Sequence, residues 1–273
     1  MPYTIESTVK LNNGVEMPRF GLGTFRTPAG KRTQDAVRWA LDAGYRAVDT
    51  AAAYENEAAV GKAIRDHQVS PDEVFVTTKA WVNDLSYDGV KAAFDASLDC
   101  LALPKLDLYL VHWPANDWQG AWRAMEELYQ SGRVRAIGVS NFLEHHLKDL
   151  FKFATVTPVV NQIEYHPHLQ QPNLQALCRE HDIYITAWAP LMKGRVLDIP
   201  ELVEIGERHN KSAIQVTLRW MLQTDILTIP KSDKQSHIES NAQIFDFELS
   251  DDEIERINSL DQHERIGTHP DQF

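Results

Sequence analysis

Short apolar runs alternate with amphipathic stretches from Phe20 to beyond Leu227, with no break in composition between them. Eight of these runs, at 20–23, 47–49, 74–79, 106–112, 134–140, 159–162, 184–188 and 227–230, are short enough and apolar enough to be buried strands. Between them the apolar residues recur at helical spacing. Ala36, Val37, Ala40 and Leu41 form one stripe that stops at Gly44; Leu143, Leu147, Leu150 and Phe151 form another, and Leu174, Leu177, Cys178 and His181 a third. Two helical segments, 200–209 and 212–223, separate the seventh and eighth strands, a further helix is expected at 250–259, and 261–273 forms a tail. Eight strand–helix units over 273 residues predict an α/β fold, a closed (β/α)8 TIM barrel forming one domain over 1–273. An open dinucleotide-binding sheet fits less well, because Gly21-Leu22-Gly23-Thr24-Phe25-Arg26 lacks the third glycine of G-x-G-x-x-G and no helix follows at once. Ahead of the barrel, the stretch 8–17 predicts a β-hairpin turning at Asn13-Gly14, since both residues tolerate positive φ.

Composition bounds the partners. The formal charge of −12 and the lack of a basic stripe argue against nucleic acid. The N-terminus shows no basic region leading into an apolar run, and no apolar run approaches the ~18 residues of a membrane span. Cys100 and Cys178 lie far apart in helical patterns and are expected to be reduced and buried. Together these features predict a cytoplasmic protein. The one local cluster of cations that suits an anionic ligand surrounds Lys231.

In a barrel of this kind the C-terminal strand ends form the working face. The polar residues closing the apolar runs are Asp49, Lys79, His112, Ser140-Asn141, Gln162 and Lys231-Ser232, and Tyr54 follows Asp49 at the start of a helical segment. Each has an ordinary alternative: Asp49 as a helix cap, Lys79 as a solvated side chain, His112 as a partner of the backbone. Their coincidence at strand ends favours a site. Free tyrosine titrates near ~10, and lowering that by about three units takes ~4 kcal/mol of differential stabilisation. Lys79 is expected to supply much of this, held charged by Asp49, while a neutral His112 donates to a carbonyl oxygen. Such a set protonates an oxygen that is gaining negative charge but provides no electrons.

The segment 44–61, GYRAVDTAAAYENEAAVG, resembles the first signature of the aldo-keto reductases, and Arg135-Ala-Ile-Gly-Val-Ser-Asn-Phe142 resembles the second. Ile229-Pro230-Lys231-Ser232 resembles the start of the third, with Phe20-Gly-Leu-Gly-Thr24, His112-Trp113-Pro114 and Asn161-Gln-Ile-Glu-Tyr-His-Pro167 in support. The short stretch after Pro114 is similar to the prokaryotic branch that includes 2,5-diketo-D-gluconate reductases. The resemblance covers essentially the whole chain. It implies a monomeric barrel that binds NADPH without a Rossmann fold and reduces carbonyl compounds. Asp49, Tyr54, Lys79 and His112 would be the catalytic tetrad, with Tyr54 the proton donor. Gly23, Thr24 and Leu191 would contact the cofactor. Ser140, Asn141 and Gln162 would hold the nicotinamide carboxamide, and Trp188, where many relatives carry tyrosine, would stack on the ring. Lys231 and Ser232 would meet the 2′-phosphate and Asn241 the adenine.

Two positions depart from the pattern. His237 stands where relatives carry an arginine, and Ser240 where they carry a glutamate. Histidine lacks arginine's bidentate fork, so NADPH is expected to be preferred by a smaller margin and NADH to be accepted. Phe25, Trp81, Trp113 and Trp118 are expected to wall a substrate mouth, with Trp39, Trp122 and Trp220 in the core. The tail, including Arg265, Ile266, His269 and Phe273, either folds over this mouth, with Arg265 meeting a substrate carboxylate, or is solvated. Two other function classes compete. One is a metal-dependent hydrolase using Glu164, His166 and His168; the other is a barrel that binds cofactor without turnover. No metal ligand set is expected. His145-His146 is expected to face solvent or a partner.

Overall fold

The computed structural model describes residues 3–273. Strand β1 (Thr8–Lys10) pairs antiparallel with β2 (Glu16–Pro18), Val9 facing Met17. The turn between them falls at Asn12-Asn13-Gly14, as the sequence predicts. Only Gly14 has positive φ, the Gly14 N–H donates to Leu11 O, and the Leu11 N–H donates to Val15 O. That is a three-residue loop closed by a left-handed glycine. Asn13 instead uses its side chain, accepting from the Val15 N–H and donating to Arg135 O. The hairpin thereby docks on the barrel, where Val9, Leu11 and Met17 pack with Ala47, Phe75, Leu108, Ala136 and Val160. It plugs the N-terminal end.

Eight parallel strands follow in chain order: β3 (Leu22–Gly23), β4 (Ala47–Asp49), β5 (Phe75–Ala80), β6 (Leu106–Val111), β7 (Val134–Ser140), β8 (Val160–Glu164), β9 (Tyr184–Trp188) and β10 (Leu227–Thr228). The ring closes where Phe20 bridges Thr228 and Gly23 bridges Lys231. The Gly21 N–H donates to Thr228 O, and the Thr228 N–H to Arg19 O. The expected (β/α)8 barrel is the fold observed. Four C-terminal strand ends differ from expectation, β5 and β6 by one residue (Ala80 and Val111) and β8 and β10 by two. β10 stops at Thr228, because Pro230 has no N–H to continue the ladder. β8 runs past Gln162 to Glu164, which pairs with Trp188 of β9, so Gln162 sits one strand repeat inside the rim.

Helices α1 (Lys31–Asp42), α2 (Glu57–Arg65), α3 (Tyr87–Leu101), α4 (Trp118–Gln130), α5 (Glu144–Phe151), α6 (Pro172–Glu180), α7 (Pro200–His209), α8 (Ala213–Gln223), α9 (Gln235–Asn241) and α10 (Asp251–Asn258) surround the strands. The α1 stripe is the one read from the sequence, with Ala36, Val37, Ala40 and Leu41 facing the sheet, while α5 buries Leu147 and Leu150 and α6 buries Leu174 and Cys178 of theirs. Ser212 with Gln215, and Ser250 with Glu253, form capping boxes that start α8 and α10 sharply. Trp122 and Trp220 are fully buried, and Trp39 packs against the core from its edge. Cys178 is buried, its thiol pushed up to about 12 by desolvation, whereas Cys100 lies exposed on the outer face of α3, contrary to the burial expected of both. Among the described residues no helix is long and apolar enough to cross a membrane.

Gly61 shows how tightly the helix layer is packed. A Cβ there would sit 1.9 Å from Leu101 O, at the C-terminus of α3. Backbone cannot yield as a flexible side chain does, so Gly61→Ala should lower the unfolding free energy by about 2–3 kcal/mol, read as a reduced denaturant midpoint at unchanged m-value.

Candidate active site

Asp49 is the last residue of β4, and Tyr54 ends a single 3-10 turn, Ala52–Tyr54, three residues further on. The turn is fixed from below by Asn56, whose amide oxygen accepts from Thr50 Oγ1 at 2.7 Å and whose Nδ2 donates to Thr24 O and Thr27 O at 3.0 and 3.1 Å. Those bonds tie the β3–α1 loop to the phenol-bearing turn. Nothing in the sequence pattern marked Asn56 for this, since its place before α2 looks like an ordinary helix cap.

Lys79 has no exposure to solvent, and its Nζ lies 2.5 Å from Asp49 Oδ1 and 2.8 Å from Thr50 O. The other carboxylate oxygen, Asp49 Oδ2, accepts from Gln162 Nε2 at 2.7 Å. Gln162 reaches this oxygen from β8, across the barrel lumen. Gln162 is thus partly engaged: one of its two amide N–H donors belongs to Asp49, and the second N–H and the amide oxygen are left for a ligand. Burial pushes the Lys79 pKa down, opposed by the Asp49 carboxylate and by Glu57.

Tyr54 is partly buried, with Lys79 Nζ 5.1 Å from its ring centroid and the His112 ring edge-on at 5.7 Å. The acidified phenol expected from Lys79 is not what the geometry produces. Burial, and secondly the Asp49 carboxylate, raise the Tyr54 pKa well above its ordinary value. Burial in a poorly solvated cleft is the larger cause, and the Asp49 carboxylate, which also compensates the Lys79 ammonium, adds to it. His112 behaves as expected. Burial, and secondly Lys79, hold it well below its usual pKa, so the ring is neutral. Its Nδ1 is buried without a protein partner, which favours the tautomer carrying the proton on Nε2.

Around this centre the mouth is aromatic. Phe25 lies 5.1 Å from Tyr54, Trp81 lies 5.1 Å from His112, and Phe273 stacks on Trp113 at 4.1 Å and meets Trp81 edge-on at 6.1 Å. Trp118, expected in this wall, is instead in the core, edge-on to Phe142 at 5.0 Å, because it begins α4 on the buried face. The tail does fold over the mouth. Arg265, however, is engaged by protein groups, with Nη1 3.5 Å from Glu164 and Nη2 donating to Gln171 at 2.9 Å. Glu164, fully buried, also accepts the Ile266 N–H at 2.6 Å and the Gly267 N–H at 3.1 Å. Burial pushes its carboxyl up, but the His166 hydrogen bond and these backbone donors outweigh it and hold it ionised. Gly267 is required by this path, since a Cβ there would lie 2.4 Å from the Trp188 indole.

The triplet weighed as a metal set does not converge. Glu164 and His166 pair with each other in the interior, while His168 turns to Glu264 at 3.8 Å.

On the other side of the mouth, Ser140 donates to Gln162 O, and Asn141 donates to His112 O and Ser140 Oγ. Asn141 Oδ1 accepts from Trp188 Nε1 at 2.8 Å. Asn141, with both amide protons committed, leaves only acceptor capacity to a ligand, while Gln162 leaves its amide oxygen and one N–H, a set that suits a carboxamide. Gly23 and Thr24 lie at the barrel seam, the Thr24 hydroxyl donating to Asp49 O; a Cβ on Gly23 would be 2.6 Å from Ile229 O. Leu191 precedes the turn Met192–Asp198 and packs on the core. Near the chain end, Lys231 and Arg32 flank Asp233 at 3.4 and 3.1 Å. Ser232 closes a turn onto the Lys234 N–H, His237 is exposed on α9, and Asn241 is buried at that helix's end. Arg32 and Asp233 went unmarked in the sequence because neither ends a strand.

Removing one partner of the buried pair tests this geometry. Asp49→Asn should cost about 3–5 kcal/mol of stability at neutral pH, because it strands a buried ammonium. Burial already holds the folded Lys79 pKa below its ordinary value and losing Asp49 lowers it further, so the penalty should ease as pH rises from that folded pKa towards the unfolded one. Denaturant unfolding from neutral to alkaline pH measures both effects.

Residues 19–262 match the Aldo/keto reductase family. The chain is 50% identical over 274 residues to glyoxal reductase of Bacillus subtilis (strain 168), covering 100% of this chain and 99% of that one. It is 40% identical over 272 residues to methylglyoxal reductase DkgA of Escherichia coli (strain K12), covering 98% of each. A mutant of Gox0644 solved in complex with NADPH superposes with a TM-score of 0.94 at 39% identity, over 98% of each chain. The chain belongs to the aldo/keto reductase family.

Proposed function

We propose that this aldo/keto reductase reduces small aldehydes, glyoxal-type dicarbonyls among them, to alcohols with NADPH, Tyr54 delivering the proton. The observation that supports this most is the convergence of Tyr54, a neutral His112 and the Lys79–Asp49 pair at the C-terminal strand ends beneath an aromatic mouth. Similarity to glyoxal and methylglyoxal reductases supports the substrate class.

A nicotinamide cofactor, when bound, supplies the hydride to the carbonyl carbon. The chain's own residues do the rest. His112 Nε2–H orients the carbonyl oxygen and stabilises the charge that develops on it. Tyr54 then gives its proton to that oxygen. An alkoxide is a far stronger base than a phenolate, so a phenol with a raised pKa remains a competent acid in the reducing direction. Trp81, Trp113 and Phe273 exclude water from the reacting carbonyl. Asn141 and Gln162 would offer acceptors to the carboxamide N–H2, Trp188 its indole face to the ring, and Lys231, Arg32, Lys234 and Ser232 are the groups proposed to receive a 2′-phosphate.

Asp233 bears on cofactor choice. Its carboxylate engages both Lys231 and Arg32, and it repels a phosphate. With His237 in place of an arginine, the NADPH margin is set largely by how far those two cations escape Asp233.

Tyr54→Phe should lower kcat for methylglyoxal by about 10²–10⁴-fold while leaving the NADPH dissociation constant nearly unchanged. Retention of most of the turnover would exclude Tyr54 as the donor. Asp233→Asn should raise kcat/KM for NADPH severalfold relative to NADH; an unchanged ratio would place the 2′-phosphate elsewhere.

A further inference from the structure

Among the described residues, one group of three metal-ligating side chains stands outside the site above: His145 and His146 at the start of α5, and Asp271 in the tail. His145 Nε2 and His146 Nε2 lie 3.1 and 3.4 Å from the same oxygen, Asp271 Oδ1. Donors of a tetrahedral ion bound at about 2.0–2.1 Å stand about 3.3–3.4 Å apart, so both separations are close to those of a bound set. Two imidazoles and one carboxylate are the ligands of an open zinc site that keeps a position for water. Imidazole also suits zinc-like ions better than magnesium or calcium.

The surroundings bear on affinity in both directions. His145 and Asp271 are exposed, so an ion reaches them from solvent. His146 is partly buried, and its Nε2 is turned to the same Asp271 oxygen that His145 meets. Asp149 on the same helix adds negative charge nearby, and His269 Nδ1 lies 3.7 Å from Asp271 Oδ2 as a further imidazole. One contact opposes binding. His146 Nδ1 accepts the Leu143 N–H at 3.1 Å, and ligation through Nε2 moves the ring proton to Nδ1, so that helix-capping bond is given up. The affinity is accordingly severalfold weaker than at a site whose outer hydrogen bonds match the metal.

We propose that His145, His146 and Asp271 bind a divalent ion of the zinc class, which ties the tail to α5 and holds Phe273 over the mouth. The segment it would pin is short: Asp271 lies in the turn Pro270–Gln272, immediately before Phe273, which stacks on Trp113. An ion there fastens the outer end of the tail, as Glu164 fastens its inner end at residues 266–267.

Calorimetric titration of the full chain with zinc chloride should give one ion per chain with a dissociation constant of about 1–10 μM. His145→Ala and Asp271→Asn, both at exposed positions, should each weaken binding by about tenfold or more. Zinc should also slow release of Phe273 by a serine carboxypeptidase in the unaltered chain and not in either variant. Equal zinc affinity in the unaltered chain and in Asp271→Asn, or release of Phe273 that zinc does not slow, overturns the proposal. Neither readout uses turnover, so the result stands apart from the role proposed for Tyr54.

Discussion

A lysine with no access to water is held 2.5 Å from a carboxylate, and the rest of the site is arranged around that fact. Two charges in the interior are tolerable only if their remaining hydrogen-bonding capacity is met. Thr50 O and Asp49 Oδ1 serve Lys79, and Gln162 serves Asp49 Oδ2. The pair therefore links β4 to β5 along the sheet and, through Gln162, to β8 across the lumen. It fixes the floor of the mouth and leaves little net charge beneath Tyr54.

That neutrality changes the chemistry the residue types alone suggested. A lysine beside a tyrosine points to a depressed phenol pKa, and the pattern of types says nothing about whether the lysine's charge is already compensated. In the folded chain it is, and burial then dominates, so Tyr54 and His112 are both kept in their neutral forms. A neutral acid and a neutral hydrogen-bond donor suit reduction, where negative charge arrives on the substrate oxygen and has to be quenched.

The barrel itself was legible, because each strand–helix unit writes its own period into the chain: Ala36, Val37, Ala40 and Leu41 face the sheet as their spacing demands. Asp49, Lys79 and His112 were legible for the same reason, since position relative to a strand end is local information. What escaped was long-range or depended on the outward path of a loop. Gln162 meets Asp49 at a separation of 113 residues. Glu164, weighed only in a disfavoured metal set, clamps the tail, and Arg265 is the partner of that clamp rather than of a substrate. Trp118 was assigned to the mouth because it follows a strand end, but the helix it opens turns its indole into the core. Phe273, the last residue, reaches the mouth only through the chain path that Gly267 permits against Trp188. Arg32 and Asp233, neither of which ends a strand, had no sequence signal.

The central claim is that Tyr54 stands over a compensated ion pair and stays protonated. Carbon-13 labelling at the tyrosine ζ-carbon, with the Tyr54 resonance assigned by its loss in Tyr54→Phe, reports that proton directly during an NMR pH titration. The account predicts a Tyr54 signal in the phenol form up to and beyond the ~10 of free tyrosine. A Tyr54 resonance moving to the phenolate position near neutral pH would show that Lys79 acidifies the phenol, and would contradict it.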